Sequence, residues 1–299
     1  KAASINDLVL GRSELPLPEL PTEKNMRQIR AAEKLIRKKR RQYENQNRQF
    51  TEMQPDPFLQ EYLDRTTFRN KDGEICEFTS LQKHDLNLVL QKRYALLNWQ
   101  QGSGKTAAVY HRAKYLLKFH KVRNAVILAP AIATNMTWIP FLTINREKFR
   151  IVRSNADLET VPEGVLLILS TSILSKLKRG LSKFVRRTSG KLCLVFDESD
   201  EITNPSSQRT RLVLSIFRRL KYKILDTGTT TRNNIAELYS QFELLYNNSV
   251  NMVCWCDRIY HENRDKEIEE ESNRHYGEPF PAFRGHVLFR SCHCPGKST

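Results

Sequence analysis

Short apolar segments alternate with longer amphipathic segments through the middle of the chain. The apolar segments are residues 94–98, 125–129, 165–170, 192–196 and 223–227. Helical periodicity lies between them, for instance at residues 106–120 and 209–220. An apolar strand must be covered on both faces, so this alternation predicts a parallel sheet flanked by helices. In such an α/β fold, ligands bind at the carboxyl ends of the strands.

The chain that precedes this sheet has a different pattern. Repeated prolines in residues 1–21 predict an extended arm, because proline cannot continue a helix. Residues 22–49 predict a helix with one apolar stripe on an otherwise basic surface. Its most basic part is Arg37, Lys38, Lys39, Arg40 and Arg41. These five side chains are candidate nucleic-acid contacts, and a solvated basic face is the open alternative.

A hairpin and one further helix are predicted before the first sheet strand. Residues 66–68 and 75–78 flank a turn-forming Asn-Lys-Asp-Gly segment, and helical periodicity covers residues 81–90. The strand and helix patterns weaken after residue 246. We therefore expect three parts: an arm with a basic helix (1–57), a sheet-containing lobe (58–246) and a C-terminal extension (247–299).

Composition and charge narrow the function classes. The 299 residues are 39% hydrophobic and 27% charged, as in ordinary globular proteins. The 49 basic and 33 acidic residues give a net charge of +16, which favours polyanionic partners. No apolar run approaches the roughly 18–20 residues of a membrane span, and no leader pattern precedes the arm. We expect a soluble intracellular protein of the cytoplasm or nucleus.

The six cysteines are too few for a disulfide scaffold in a chain of this length. Four of them form two close pairs, Cys254 with Cys256 and Cys292 with Cys294. Two such pairs could bind zinc, but the first pair also fits a buried strand. Both interpretations stay open.

The segment Gly102-Ser103-Gly104-Lys105-Thr106 follows a predicted strand and opens a predicted helix. This is the context of a phosphate-binding loop, in which glycines let backbone N–H groups converge on an anion at a helix N-terminus. Lys105 would contact the β- and γ-phosphates, and the Thr106 hydroxyl would coordinate Mg²⁺. A tight glycine turn is the alternative. The full consensus also has a glycine where this chain has Trp99.

Two further strand ends carry candidate chemistry. The apolar segment 192–196 runs directly into Asp197 and Glu198, which would hold Mg²⁺ and polarise the attacking water, respectively. The next strand ends in Thr227-Gly228-Thr229, whose hydroxyl groups could sense the γ-phosphate and couple it to nucleic acid. A polar strand-to-helix turn is the alternative for this second segment.

Taken in order, these motifs resemble the first RecA-like lobe of superfamily-two, Swi/Snf-type helicase-like ATPases. The resemblance covers residues 78–246 and extends to Pro130 followed by Trp138, and to Ser170 and Thr171. It implies a RecA-like P-loop lobe that uses ATP and Mg²⁺ and contacts nucleic acid through Pro130, Ser170 and Thr171. Catalytic roles fall on Lys105, Asp197 and Glu198.

The chain departs from the family pattern at three points. Thr230 follows the Thr-Gly-Thr segment where the family usually has proline, and Trp99 and Gln100 replace an acidic pair. Asp85 occupies the place of the glutamine that reads adenine, and Gln82 is the nearby candidate for that role.

The family likeness implies a DNA translocase or helicase that needs a second RecA-like lobe to supply arginines to the γ-phosphate. We find no such glycine-arginine motif, so the C-terminal extension is expected to lead toward that lobe. Duplex DNA is the expected partner. Two alternatives remain: a nucleotide-binding module that docks on DNA or a partner with little turnover, and the lobe of an RNA helicase.

Overall fold

The computed structural model describes residues 50–188, 190–204, 206–228, 239–246 and 287–290, together with Arg48 and six positions between residues 23 and 34. The chain divides into two compact units, residues 1–45 and 46–299. In the first unit, the six described positions are helical, as the sequence predicts for this segment. The basic run 37–41 and the four paired cysteines lie outside the described residues.

A helix and a hairpin open the second unit. Helix α1 (Pro57–Asp64) begins with proline at its first turn, and the side chain of Asp56 caps it by accepting the Leu59 N–H at 3.0 Å. This helix was not predicted from the sequence, where Pro57 marks only the end of the N-terminal arm and its basic helix. Strands β1 (Thr67–Arg69) and β2 (Ile75–Glu77) then pair antiparallel, which confirms the hairpin.

A seven-stranded sheet forms the centre of this unit, and all its strands are parallel. Its strands are β3 (Tyr94–Trp99), β4 (Asn124–Ala129), β5 (Phe149–Ile151), β6 (Leu166–Ser170), β7 (Leu192–Phe196), β8 (Tyr222–Asp226) and β9 (Val287–Arg290). Their spatial order is β5-β6-β4-β7-β8-β3-β9. The five predicted strands are confirmed to within one residue. The sequence analysis missed β5, which has only three residues, and β9, which lies in the predicted C-terminal extension.

Helices cover both faces of the sheet. They are α2 (Ser80–Gln91), α3 (Lys105–Lys118), α4 (Ala131–Ala133), α5 (Ile139–Ile144), α6 (Leu174–Arg187), α7 (Gln208–Phe217) and α8 (Tyr239–Tyr246). One buried cluster contains side chains of α2, α3 and α5, and a second contains side chains of α6, α7 and α8. The predicted α/β architecture is therefore confirmed. No described helix is both long and apolar enough to cross a membrane.

His111 on α3 is buried in an aromatic cluster against the rings of Phe68, Phe78 and Tyr110. Neither ring nitrogen has a hydrogen-bond partner among the described residues. Burial, reinforced by the charge of Lys114, lowers the pKa of His111 to about 3. The folded protein therefore holds this imidazole neutral at pH values where the unfolded chain protonates it.

We predict that His111 makes the fold sensitive to mild acid. Its pKa is about 6.5 in an unfolded chain, so the unfolded state binds a proton first as the pH falls. Between pH 7.5 and pH 5 the free energy of unfolding should decrease by about 2 kcal/mol through this residue. Urea denaturation of the wild type and of His111→Phe at both pH values measures the effect. An equal decrease in the free energy of unfolding of the two proteins would contradict this role of His111.

Candidate nucleotide-binding site

The loop between β3 and α3 has the backbone shape that an anion cradle requires. Gly102 and Gly104 both adopt left-handed conformations, with φ of 79° and 80°, which disfavour any side chain. A Cβ on Gly104 would also lie 3.3 Å from Nε2 of Gln82, whereas Gly102 faces open space. Gly104 is the N-cap of α3, so the N-terminus of a 14-residue helix follows this turn directly.

Lys105 is tethered to its own loop. Its Nζ donates to the carbonyl oxygens of Trp99 at 3.1 Å and Gln100 at 3.2 Å. The same Nζ lies 3.5 Å from the point that a Cβ on Gly228 would occupy. The loop after β3 and the loop after β8 therefore meet at this ammonium group.

Trp99 and Asp85, which both depart from the family pattern, contact each other in the core. The indole Nε1 of Trp99 donates to Oδ2 of Asp85 at 3.1 Å, and both side chains are fully buried. Gln82, the adenine-reading candidate, accepts the Thr79 N–H and donates to the Ser103 carbonyl, each at 2.8 Å. In this structure the Gln82 amide joins the start of α2 to the phosphate loop.

The acidic loop after β7 places Asp197 and Glu198 near Lys105 of the glycine loop that follows β3. Asp197 is 6% exposed, and its Oδ2 accepts a 2.6 Å hydrogen bond from Nε1 of the buried Trp138. Glu198 has a φ of 51°, an uncommon left-handed conformation for a non-glycine residue. Burial, with the charges of Asp197 and Asp200, raises the pKa of Glu198, while Lys105 and the Gly228 N–H act in the opposite direction. Lys105 and the acids therefore interact across one site.

The loop after β8 is joined to the acidic loop by side-chain hydrogen bonds. The Thr227 hydroxyl donates to Asp200 Oδ1 at 3.3 Å. The Ser199 hydroxyl donates to Gln241 Oε1 of α8 at 2.9 Å. Thr229 and Thr230 lie outside the described residues.

Sequence reasoning missed Asp226, the last residue of β8. Its side chain is fully buried, and among the described residues no N–H group or hydroxyl donates to either of its oxygens. Its polar neighbour is the carboxyl group of Asp197. Burial and the neighbouring Asp197 raise the pKa of Asp226 well above its usual value, against the attraction of Lys105. The sequence signal for this residue was an acid at the end of a strand, directly after the apolar residues Ile224 and Leu225.

The oxygen atoms of Asp197, Thr106 and Asp226 have the chemistry that a magnesium ion requires. Among the described residues, no set of three or more histidine, cysteine, aspartate or glutamate side chains forms a metal cage. Mg²⁺ is usually held by one or two carboxylates together with phosphates and water, so a cage is not required. Asp197, the Thr106 hydroxyl and the orphaned carboxyl of Asp226 are oxygen ligands of the type that Mg²⁺ prefers.

The candidate nucleic-acid residues lie at the same edge of the sheet. Pro130 follows β4 and caps α4, and Ser170 ends β6 with its hydroxyl 2.8 Å from that of Ser172. Thr171 is buried. Because β4, β6 and β7 are parallel, all three of these residues lie at the carboxyl edge that also carries Asp197.

Solved structures with a similar fold include two of the SWI2/SNF2 ATPase core of Sulfolobus solfataricus. The one in complex with double-stranded DNA superimposes with a TM-score of 0.52 at 15% identity, over 73% of this chain and 45% of that one. The other gives a TM-score of 0.53 at 16% identity, over 74% of this chain and 44% of that one. This chain has the fold of a SWI2/SNF2-type ATPase lobe. The predicted RecA-like fold class is confirmed.

Sequence comparison finds a similarity to part of a DNA helicase. The bovine (Bos taurus) DNA annealing helicase and endonuclease ZRANB3 is 28% identical over 109 residues, which is 36% of this chain and 10% of that protein. No protein-family model matches the chain. The chain thus spans less than half of the length of each of these relatives.

Proposed function

We propose that this chain is the ATP-binding lobe of a nucleic-acid-dependent ATPase that moves along or remodels DNA. One observation carries the proposal: Lys105, Asp197, Glu198 and Gly228, from three separate loops, converge at one edge of the sheet. An ammonium group, a metal-binding carboxylate and a second acid are what hydrolysis of a nucleoside triphosphate needs. The glycine turn and the N-terminus of α3 complete the phosphate cradle.

Each side chain has a defined task in this proposal. Lys105 would exchange its two carbonyl contacts for the β- and γ-phosphate oxygens when nucleotide binds. Asp197 and the Thr106 hydroxyl would hold Mg²⁺, which neutralises phosphate charge when it is bound. Glu198 would orient the attacking water and accept its proton. Its raised pKa improves it as a base near neutral pH.

The loop after β8 would transmit the state of the nucleotide. The Gly228 N–H bonds Glu198, and Thr227 bonds Asp200 of the acidic loop. A shift of Glu198 toward a water molecule at the γ-phosphate would therefore pull on the segment that contains Thr227, Gly228 and Thr229. We assign this segment to coupling between hydrolysis and nucleic acid.

Duplex DNA is the partner that the charge distribution favours. Helix α6 begins three residues beyond Thr171 and carries no acidic side chain. Its six basic residues are all exposed, and no ion pair joins them to a carboxylate of the described part of the chain: Lys176, Lys178, Arg179, Lys183, Arg186 and Arg187. Lys176, Lys178 and Arg179 lie in the first turns of the helix and would extend the backbone contacts of Pro130, Ser170 and Thr171. Such contacts would make binding salt-dependent. The basic run 37–41 would add to this attraction.

Full activity would need a second RecA-like lobe. The chain spans 45% of the DNA-bound archaeal core, so a complementary lobe is consistent with that comparison. An arginine that reaches the γ-phosphate from such a lobe is worth about three to five orders of magnitude in rate. This lobe alone is therefore expected to bind nucleotide and hydrolyse it very slowly.

Nucleotide binding and phosphate release test the proposal. Lys105→Ala should weaken binding of a fluorescent ATP analogue by about tenfold to hundredfold, because it removes charge-assisted phosphate contacts. Lys118→Ala, at the exposed end of the same helix, is the matched control and should bind normally. Phosphate release should increase with duplex DNA.

The other outcomes separate the alternatives. Nucleotide binding without DNA-stimulated release, also in a longer chain that includes a second RecA-like lobe, would indicate a docking module with little turnover. Stimulation by RNA but not by duplex DNA would indicate an RNA helicase lobe. No difference between Lys105→Ala and the wild type in nucleotide affinity would contradict the nucleotide site itself.

A further inference from the structure

A second buried carboxyl group lies next to the predicted metal-binding acid. Strands β7 and β8 pair with Phe196 opposite Leu225, so Asp197 and Asp226 follow at equivalent positions one residue further along each strand. Asp226 also pairs with Leu97 of β3, the strand that leads into the phosphate loop. Asp226 therefore lies between the acidic loop and the phosphate loop.

Burying this carboxyl group without a partner is costly. The side chain of Asp226 has 0% exposure, and no N–H group or hydroxyl of the described residues donates to either oxygen. Its polar neighbour is the carboxyl group of Asp197, which can share a hydrogen bond with it only while one of the two acids is protonated. An uncompensated carboxylate in such a place costs several kcal/mol. The two strand residues before it, Ile224 and Leu225, are fully buried and apolar, so an apolar side chain at position 226 would match its neighbours in the strand. An acid here indicates that something binds to it.

The neighbours of Asp226 identify the chemical class of that ligand. Asp197 and Glu198 are both close enough to disfavour its ionised form, and Lys105 is the cation that favours it. Lys105 already donates to two carbonyl oxygens, and Asp197 Oδ2 is occupied by Trp138. A group that compensates several acids at once and leaves Lys105 available to the phosphates is a divalent cation with its water shell.

We propose that Asp226 is a second carboxylate of the metal site, which acts with Asp197 on the divalent cation or on its bound water. This inference rests on the proposed nucleotide site and adds a residue to it. Two carboxylates with phosphate and water form an ordinary Mg²⁺ environment. Carboxylates in the outer shell of a metal site typically change metal affinity by 10–100-fold. Asp226 would hold the metal before hydrolysis begins and would not touch the attacking water.

The test measures how much a divalent cation tightens nucleotide binding. The affinity for fluorescent ADP is determined in EDTA and in Mn²⁺, for the wild type, Asp226→Asn and Asp226→Leu. Asp72→Asn is the matched control, because its carboxyl group is exposed in the hairpin turn. We expect both position-226 variants to reduce the Mn²⁺-dependent gain about tenfold and to leave affinity in EDTA unchanged. The control should match the wild type.

A second readout uses Mn²⁺ alone. The cation should raise the thermal unfolding midpoint of the wild type more than that of either position-226 variant. An unchanged Mn²⁺-dependent gain in folded Asp226→Asn would overturn the inference and leave the nucleotide site intact. Tighter ADP binding in EDTA by the variants would also overturn it, because Asp226 would then compete with phosphate for Lys105. Absence of any ADP binding by the wild type would instead overturn the proposed function.

Discussion

Glu198→Gln is expected to lower ATP turnover by about three orders of magnitude and to leave ATP affinity within about threefold of the wild-type value. Glutamine keeps the shape of the side chain and can still bond the attacking water, but it cannot accept the proton of that water. The Gly228 N–H can still donate to the amide oxygen, so the loop geometry should persist. The rate of ATP hydrolysis should therefore fall while the affinity for ATP is retained.

Single-turnover hydrolysis of labelled ATP, with the protein in excess, is the suitable measurement because the lobe alone is expected to be slow. Glu159→Gln is the matched control, since its side chain is exposed and belongs to a different segment. Its rate should equal that of the wild type. A loss of less than tenfold in Glu198→Gln would show that this carboxylate is not the base.

Trp138→Ala should lower the free energy of unfolding by about 3–5 kcal/mol, the second large effect. Trp138 is fully buried and packs edge-on against Phe141, so truncation leaves a cavity. It also removes the 2.6 Å hydrogen bond to Asp197 Oδ2. Trp138→Phe keeps a ring but removes the donor, and should cost about 1–3 kcal/mol. Urea denaturation measures both losses.

The Trp138 indole should also matter for metal binding, because it orients the carboxylate of Asp197. Trp138→Phe is expected to raise the Mg²⁺ concentration needed for nucleotide binding about tenfold. Trp99→Phe is the matched control, since it also loses a buried indole hydrogen bond, but to Asp85. Equal Mg²⁺ requirements in the two variants would assign Trp138 to stability alone.

The local sequence pattern was sufficient for most of the sheet and for the loops that carry chemistry. Apolar runs such as residues 192–196 coincide with strand β7, because a strand buried on both faces must be apolar throughout. The glycines at 102 and 104 predicted a tight turn before a helix, since left-handed backbone strongly favours glycine. Short β5 and the proline-initiated α1 were missed because three residues, or a single N-terminal proline, carry little periodic signal.

Contacts between segments far apart in the chain could be decided only by the tertiary structure. Trp99 and Asp85 each depart from the family pattern, and the structure joins them by one buried hydrogen bond. Trp138 donates a hydrogen bond to Asp197, which is 59 residues away in the sequence. The pairing of β7 with β8 places Asp226 beside the same acid. Residue type and local periodicity specify which segments form strands and turns. Strand order and side-chain packing decide which of those turns share one site.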